Sequence, residues 1–373
     1  MSRRIIMFSF ADCQAYFYFT TMKNTQKVVI FLLLFLAVGF LYKANFQNTS
    51  LYPVSYLYEN YINKTLKSKL VPPQNNSEPA EKDLSPSDVL NGGDSIIYLE
   101  TTDKLPPTSL VLCAIESAAH HYPTRSVVFF MKGLTEINAE EVQKKHLSVF
   151  SSLPNVYFFP LQMEMILSDT PLLSWYQKVN PAKEIYWAHV SSDACRLALL
   201  WKYGGIYMDT NFISLRPNPH HNFLAAESKQ YSSNAVLGFS SQHEFIWKCM
   251  EDFVKNYHGE IWGYQGTLLF TRIRNQFCTM ASFTGKEDFM CGNITILNPG
   301  HFYPIEPGSF KRYYEVWDKE PTFDTCYALH LWNYANRGDH RAMVPGSNTL
   351  VEHLYQKNCP SVYAELARNG TSL

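Results

Sequence analysis

The segment Ser191–Asn211, SSDACRLALLWKYGGIYMDTN, constrains this chain more than any other. Asp193 and Arg196 stand three apart, so on a helix they share a face. Leu197, Leu200 and Tyr203 continue at helical spacing as an apolar stripe. Gly204-Gly205 then stops the helix, because glycine accepts the left-handed backbone of a C-terminal cap. Ile206, Tyr207 and Met208 make a short buried strand that delivers Asp209, Thr210 and Asn211 to its carboxyl end. In open α/β sheets that end faces the ligand crevice. A carboxylate there can hold a hard divalent cation through oxygen, and such a cation neutralises a diphosphate leaving group.

The flanking sequence reads as alternating strands and helices. Strands are expected at Ser95–Leu99, Ser126–Met131, Asn155–Phe159, Phe212–Leu215 and Ala235–Phe239. Helices are expected at Leu110–His121, Glu244–Tyr257 and Thr267–Phe277, with a late strand over Tyr327–Asn333. This is the pattern of a mostly parallel sheet covered by helices on both faces. No GxGxxG is present, which disfavours a dinucleotide cofactor. A net charge of −1 gives no reason to expect a nucleic-acid partner. Aromatic residues make up 15 % of the chain, a density suited either to stacking on sugar rings or to core packing. Trp175 and Trp187 are open to both readings, and His189 lies one turn ahead of Asp193 on a similar face.

The amino-terminal region is organised differently. Val28–Tyr42 is an uncharged apolar run of about fifteen residues, flanked by Lys23, Lys27 and Lys43. A signal peptide of this length competes with an uncleaved signal anchor; without a convincing small-residue cleavage site, the anchor is the expectation. The basic flank predicts a cytosolic amino terminus. The expected organisation is a cytoplasmic tail at 1–27, an anchor at 28–42, a flexible lumenal stem at 43–94 and a catalytic domain at 95–373. The stem is polar and broken by Pro72-Pro73, Pro79, Pro86 and Asn91-Gly92-Gly93, and Asn48, Asn63 and Asn75 there, with Asn293 and Asn369 beyond it, stand in glycosylation sequons. Of eight cysteines, none forms a CxxC pair, so zinc is not expected. Cys278 and Cys291 bracket a short loop and are the expected disulfide. Cys195 is expected to be a small packed residue.

The central segment resembles the donor-binding signature of DXD-motif glycosyltransferases, SDxxRxxxLxxxGGIYxDxD, and is similar there to the glucosylating bacterial toxins. FFMKGLT at 129–135, FLAA at 223–226, YSSN at 231–234, IWGYQG at 261–266, FYPI at 302–305, YYEVWD at 313–318, YALHLWN at 327–333 and GSNTLVEHLY at 346–355 resemble the α-1,4-N-acetylglucosaminyltransferases, with the α-1,4-galactosyltransferases close by. The resemblance implies a GT-A-type fold: a Rossmann-like mixed sheet flanked by helices. It implies Mn²⁺ held by Asp209, Asn211 and His330, with UDP-N-acetylglucosamine as donor. Asp193 and Arg196 would grip sugar hydroxyls, and Gln265 would contact the sugar. Thr101 and Thr102 would face uridine, or else begin the next element. Tyr207, Asp209 and Gly266 would border the donor, and Trp332 would close over the diphosphate, with Ser347, Asn348 and Thr349 adding phosphate contacts. The acceptor implied is a terminal β-galactose, reached by retaining transfer from a lumenal domain at the Golgi membrane.

Two departures stand out. Family members carry DTD where this chain has Asp209-Thr210-Asn211, and QGP where it has Gln265-Gly266-Thr267. Asparagine keeps a carbonyl oxygen but not the charge, so a weaker metal site, or a lectin-like relative without catalysis, is a competing expectation. Met22 begins MKNTQK, a short basic start, and is expected to be the effective initiator. Mass spectrometry of the mature chain should return no peptide from residues 1–21; recovering one would remove this expectation.

Overall fold

The computed structural model describes residues 84–280, 283–319 and 322–369. The chain divides into two compact units, 1–64 and 65–373, and everything described lies in the second. The tail, the Val28–Tyr42 run and nearly all of the stem fall outside the described residues. Among the described residues, no helix is long and apolar enough to cross a membrane.

Eight strands form one mixed sheet. Its parallel half is β1 (Ile96–Glu100), β2 (Val127–Met131), β3 (Val156–Pro160) and β4 (Gly205–Met208), in spatial order β3-β2-β1-β4. Hydrogen bonding on one side of β1 therefore serves β2, and on the other side β4. The sheet continues through β7 (Ser232–Phe239), β6 (Phe223–Ala226), β9 (Ile294–Leu297) and β8 (Phe289–Cys291). β7 runs antiparallel to both β4 and β6. A separate two-stranded ladder pairs β5 (Phe212–Ser214) with β10 (Ala328–His330), placing His330 opposite Phe212.

Residues alternate across the sheet because successive side chains leave a strand on opposite faces. Ile96, Tyr98, Val127 and Phe129 join one apolar cluster, against α1 (Ser109–His121). Ile97, Leu99, Val128 and Phe130 join the other, against α2 (Trp187–Tyr203), α3 (Glu244–Lys255) and α4 (Thr267–Phe277). Two apolar layers on one sheet explain why its strands read as nearly continuous hydrophobic runs. The carboxyl end of the chain is fixed to this frame twice. Cys359 is disulfide-bonded to Cys113 in α1, and the buried Glu116 accepts from the amides of Ser361 and Val362, each at 2.9 Å, in the first turn of the terminal helix.

The expected Cys278–Cys291 disulfide is present, and Cys195 is buried and free. The expected elements are present with shifted ends. α2 begins four residues ahead of Ser191, and β7 begins at Ser232 rather than Ala235. The late strand covers only Ala328–His330. Strands β6, β8 and β9 had no sequence expectation, because each has only three or four residues, too few to show a period.

The turn between α2 and β4 depends on both glycines. Gly204 has φ 71° and Gly205 φ 103°, and a Cβ on Gly205 would overlap the carbonyl oxygen of Ser95. That oxygen accepts from Ile206 N at 2.9 Å and joins β4 to the sheet, so it cannot move aside. Gly205→Ala should cost about 3 kcal/mol or more. A urea midpoint matching the parent protein's would contradict this account of the turn.

Candidate active site

β1 leads to β2 on one side, while its other neighbour, β4, arrives only after the β3 excursion. The crevice beyond the carboxyl ends of β1 and β4 is therefore the switch point of the sheet, where open α/β folds bind ligands. α2 packs against β1, β4 and β7 and brings its Asp193–Arg196 face to this crevice.

Arg196 is the centre of the site. It is 4 % exposed and lies 3.3 Å from Asp193 Oδ1 and 3.3 Å from Asp209 Oδ1. Its Nε donates to Ser192 O at 3.2 Å, Nη1 to Asn234 O at 2.5 Å and Nη2 to Ser192 Oγ at 2.8 Å. The guanidinium also lies over the Tyr207 ring, 4.3 Å from its centroid. Three hydrogen bonds and two ion pairs thus occupy the guanidinium. The expectation that Arg196 grips sugar hydroxyls gives way to a different arrangement, in which a buried cation joins the helix carboxylate to the strand-tip carboxylate.

Burial pushes the Asp193 carboxyl up to about 6, against the pull of Arg196. For Arg196, burial disfavours the charge, but Tyr207, Asp209 and Asp193 outweigh it and hold the guanidinium more firmly protonated than usual. Tyr207 donates its hydroxyl hydrogen to Asp209 Oδ1 at 2.6 Å, and burial raises its pKa well above the ordinary phenol value. Tyr207 and Arg196 both converge on Oδ1. They fix the Asp209 carboxylate and leave Oδ2 directed elsewhere, on a side chain 31 % exposed.

Asn234, on β7, had no role assigned from sequence. Its Nδ2 donates to Asp193 Oδ1 at 2.7 Å, its Oδ1 accepts from Thr267 Oγ1 at 3.0 Å, and its backbone oxygen receives Arg196. Gly266 lies against the same group: a Cβ there would stand 2.5 Å from Asn234 Nδ2 and 3.1 Å from Asp193 Oδ2. The segment YSSN was visible, but nothing local could say that its asparagine meets α2, 41 residues back in the chain. Thr267 supplies the hydroxyl that closes this contact.

Several expected contacts are directed inward instead. Gln265 is buried; its Oε1 accepts from His258 N at 3.1 Å and its Nε2 donates to Phe253 O at 2.9 Å, so it braces the 258–266 loop. Thr101 is buried and donates to Ala188 O at 2.7 Å, tying β1 to α2. Thr102 bonds Glu100 Oε1 at 2.7 Å. The indole N–H of Trp332 donates to Ile305 O at 2.7 Å, so this ring packs beneath the site rather than over it. Ser347 and Asn348 turn around Glu352, with Asn348 N at 2.6 Å from Glu352 Oε2.

The β5–β10 ladder brings in the remaining residues. Leu331 N donates to Asn211 O at 2.9 Å, which sets Asn211 beside His330 along the ladder. His330 is buried among Phe212, Tyr303 and Trp332, with centroids at 4.7, 5.4 and 4.3 Å. Leu329 and Leu331 are buried as well, so alternation does not separate a solvent face from a core face here. Burial lowers the His330 pKa to about 3, which keeps its ring neutral at physiological pH. Two atoms at this tip have no hydrogen-bond partner although they are enclosed: Asn211 Oδ1 and His330 Nδ1. Leaving such an atom unsatisfied costs about 1–3 kcal/mol. An amide oxygen and a neutral imidazole nitrogen, near a fixed carboxylate, are the donor types that suit a manganese-class cation. Among the described residues no three His, Cys, Asp or Glu side chains form a metal cage.

Comparison with known proteins places the chain in a class. Residues 108–230 match the family model "Glycosyltransferase sugar-binding region containing DXD motif", and residues 238–366 match "Alpha 1,4-glycosyltransferase conserved region". The chain belongs to the α-1,4-glycosyltransferase family, and its mixed sheet flanked by helices is the GT-A-type architecture expected for it. The human alpha-1,4-N-acetylglucosaminyltransferase is 50 % identical over 275 residues, spanning 73 % of this chain and 81 % of that protein. The mouse lactosylceramide 4-alpha-galactosyltransferase is 38 % identical over 273 residues, spanning 72 % and 75 %. Among solved structures, the PaToxG glycosyltransferase aligns with a TM-score of 0.38 at 21 % identity, over 49 % of this chain and 69 % of that one.

The buried Asp193 carboxyl makes stability depend on pH in a defined direction. Between its ordinary value of 3.8 and about 6, the folded chain holds a proton that the unfolded chain releases, so stability falls as pH rises through that window. Asp193→Asn removes this term. Urea midpoints taken near pH 4 and near pH 7 should shift in favour of the variant, relative to the parent, at the higher pH. A parent–variant difference that does not change with pH would contradict the assignment.

Proposed function

We propose that the chain is a Golgi type II transferase. It moves N-acetylglucosamine from UDP-N-acetylglucosamine, with retention, to O4 of a terminal β-galactose on mucin-type O-glycans. The observation that supports this reading is the 50 % identity to a protein named alpha-1,4-N-acetylglucosaminyltransferase, over a stretch that includes the whole Arg196 site. Relatives named as galactosyltransferases of lactosylceramide share 38 %.

In this reading Asp209 Oδ2, Asn211 Oδ1 and His330 Nδ1 would hold Mn²⁺. When bound, the cation would offset the charge that develops on the departing diphosphate. The protein's own part is to fix these donors in advance. Arg196 and Tyr207 lock the Asp209 carboxylate, and the β5–β10 ladder sets Asn211 beside His330. Preorganised charge of this kind needs no rearrangement as the bond breaks. Asp193 is 5 % exposed and restrained by Asn234 and Arg196, and Gln265 is enclosed, so neither is free to act as a covalent nucleophile. That favours a front-face route, in which the leaving phosphate accepts the proton of the incoming hydroxyl.

A donor panel tests the proposal. With Mn²⁺ and a β-galactoside, the protein should turn over UDP-N-acetylglucosamine at least roughly tenfold faster than UDP-galactose, a difference of about 1.4 kcal/mol. Preference for UDP-galactose would make it an α-1,4-galactosyltransferase. Absence of metal-dependent UDP binding by calorimetry would leave a lectin-like protein. Asn211→Asp restores the second acid of the motif and should raise Mn²⁺ affinity and Mn²⁺-dependent rate several-fold. An unchanged or lower rate would mean that Asn211 is not a ligand.

A further inference from the structure

Three segments that each supply a residue to the donor site reach solvent at one place. α2 carries His189 one turn before Asp193, the 258–266 loop carries Trp262 four residues before Gly266, and the segment after β10 carries Tyr334 four residues past His330. Their rings meet. Trp262 and Tyr334 stack face to face, with centroids 4.0 Å apart and planes 11° apart. His189 stands edge-on to both, at 4.5 and 5.2 Å, and the Arg337 guanidinium lies 3.9 Å from the Tyr334 centroid.

An aromatic cluster of this size is usually core. Here Trp262 is 43 % exposed and Tyr334 37 %. Among the described residues no hydrogen bond joins the two segments that carry them, so ring contact alone holds the stack together. Each arm has an unusual backbone position beside its ring. Gly263 has φ 69° with open space around it, and Trp332 has φ 53°, a conformation disfavoured for a bulky side chain.

We propose that Trp262 and Tyr334 form the acceptor-sugar platform: two aromatic faces at the mouth of the donor site that take the C–H face of a terminal β-galactopyranose, and that stack on each other when no glycan is there. Two such rings, each about two-fifths exposed, offer on the order of 150–200 Å². A protein partner needs about 800 Å² on each side, whereas one or two sugar rings need no more than these faces provide. Arg337 lies over the Tyr334 face turned away from Trp262, so the face offered to a sugar is the one that Trp262 now covers, and His189 stands at the edge of both rings with a nitrogen that can bond to a sugar hydroxyl. The position also suits the reaction, because an acceptor held here lies beside the residues that frame the donor. The inference rests on the transferase reading for its choice of sugar.

The test uses the full chain with methyl β-galactoside as probe and UDP binding as a separate readout. Trp262→Ala and Tyr334→Ala should each weaken galactoside binding, measured by saturation-transfer NMR, and raise acceptor KM by roughly five- to tenfold. UDP affinity should stay within about twofold, because neither ring touches the Arg196 group. Trp262→Phe keeps an aromatic face and should recover most of the galactoside affinity. Unchanged galactoside affinity in both alanine variants overturns the proposal, as does an equal loss of UDP affinity, which would assign the rings to the donor. A parent protein that binds galactoside through Trp262 but never binds UDP would support the platform while overturning the transferase reading.

Discussion

The buried guanidinium of Arg196 is the interaction on which the rest of the site depends. A cation removed from water is stable only when its donors are all used and opposite charges surround it. Asp193, Asp209, Ser192, Asn234 and the face of Tyr207 meet both conditions. Taking away one member of such a group leaves an uncompensated charge, which is far more costly than replacing the whole group with hydrocarbon. The group therefore links three elements at once: α2, the tip of β4 and the middle of β7. It sets where the Asp209 carboxylate stands.

The sheet explains why this group lies at a binding crevice. β1 is the point from which the chain departs in two directions, and the gap that this leaves above β1 and β4 is roofed by the helix that precedes β4. The β5–β10 ladder then adds a second wall from far along the sequence. Its contribution is a pair of enclosed polar atoms, Asn211 Oδ1 and His330 Nδ1, with no hydrogen-bond partner in the protein. Asn211 contributes an uncharged carbonyl oxygen to that wall.

How much of this was legible depended on distance along the chain. The helix–Gly-Gly–strand unit could be read because every signal in it is local: a spacing of three, an apolar stripe, two glycines that tolerate positive φ, and a strand ending in an acid. The pairing of Cys278 with Cys291 was readable for the same reason. The errors concern direction. Gln265, Thr101 and Trp332 occupy the right segments, yet their polar atoms are directed into the protein, toward Phe253, Ala188 and Ile305. A motif fixes which residue stands at a position but not which way its side chain turns, because the rotamer answers to neighbours that the motif does not contain.

The sequence by itself therefore determined the class of fold, from alternating strand and helix patterns along the chain, the strand tip that carries the acid, from local turn chemistry, and the family of chemistry, from a set of motifs. Only the tertiary structure decided that Arg196 is an internal tie, that Asn234 completes it, and that His189, Trp262 and Tyr334 meet at the mouth. Those outcomes need residues separated by tens to hundreds of positions to come within a few ångströms of one another. Packing of the two apolar layers onto the sheet sets that proximity, and no local pattern encodes it.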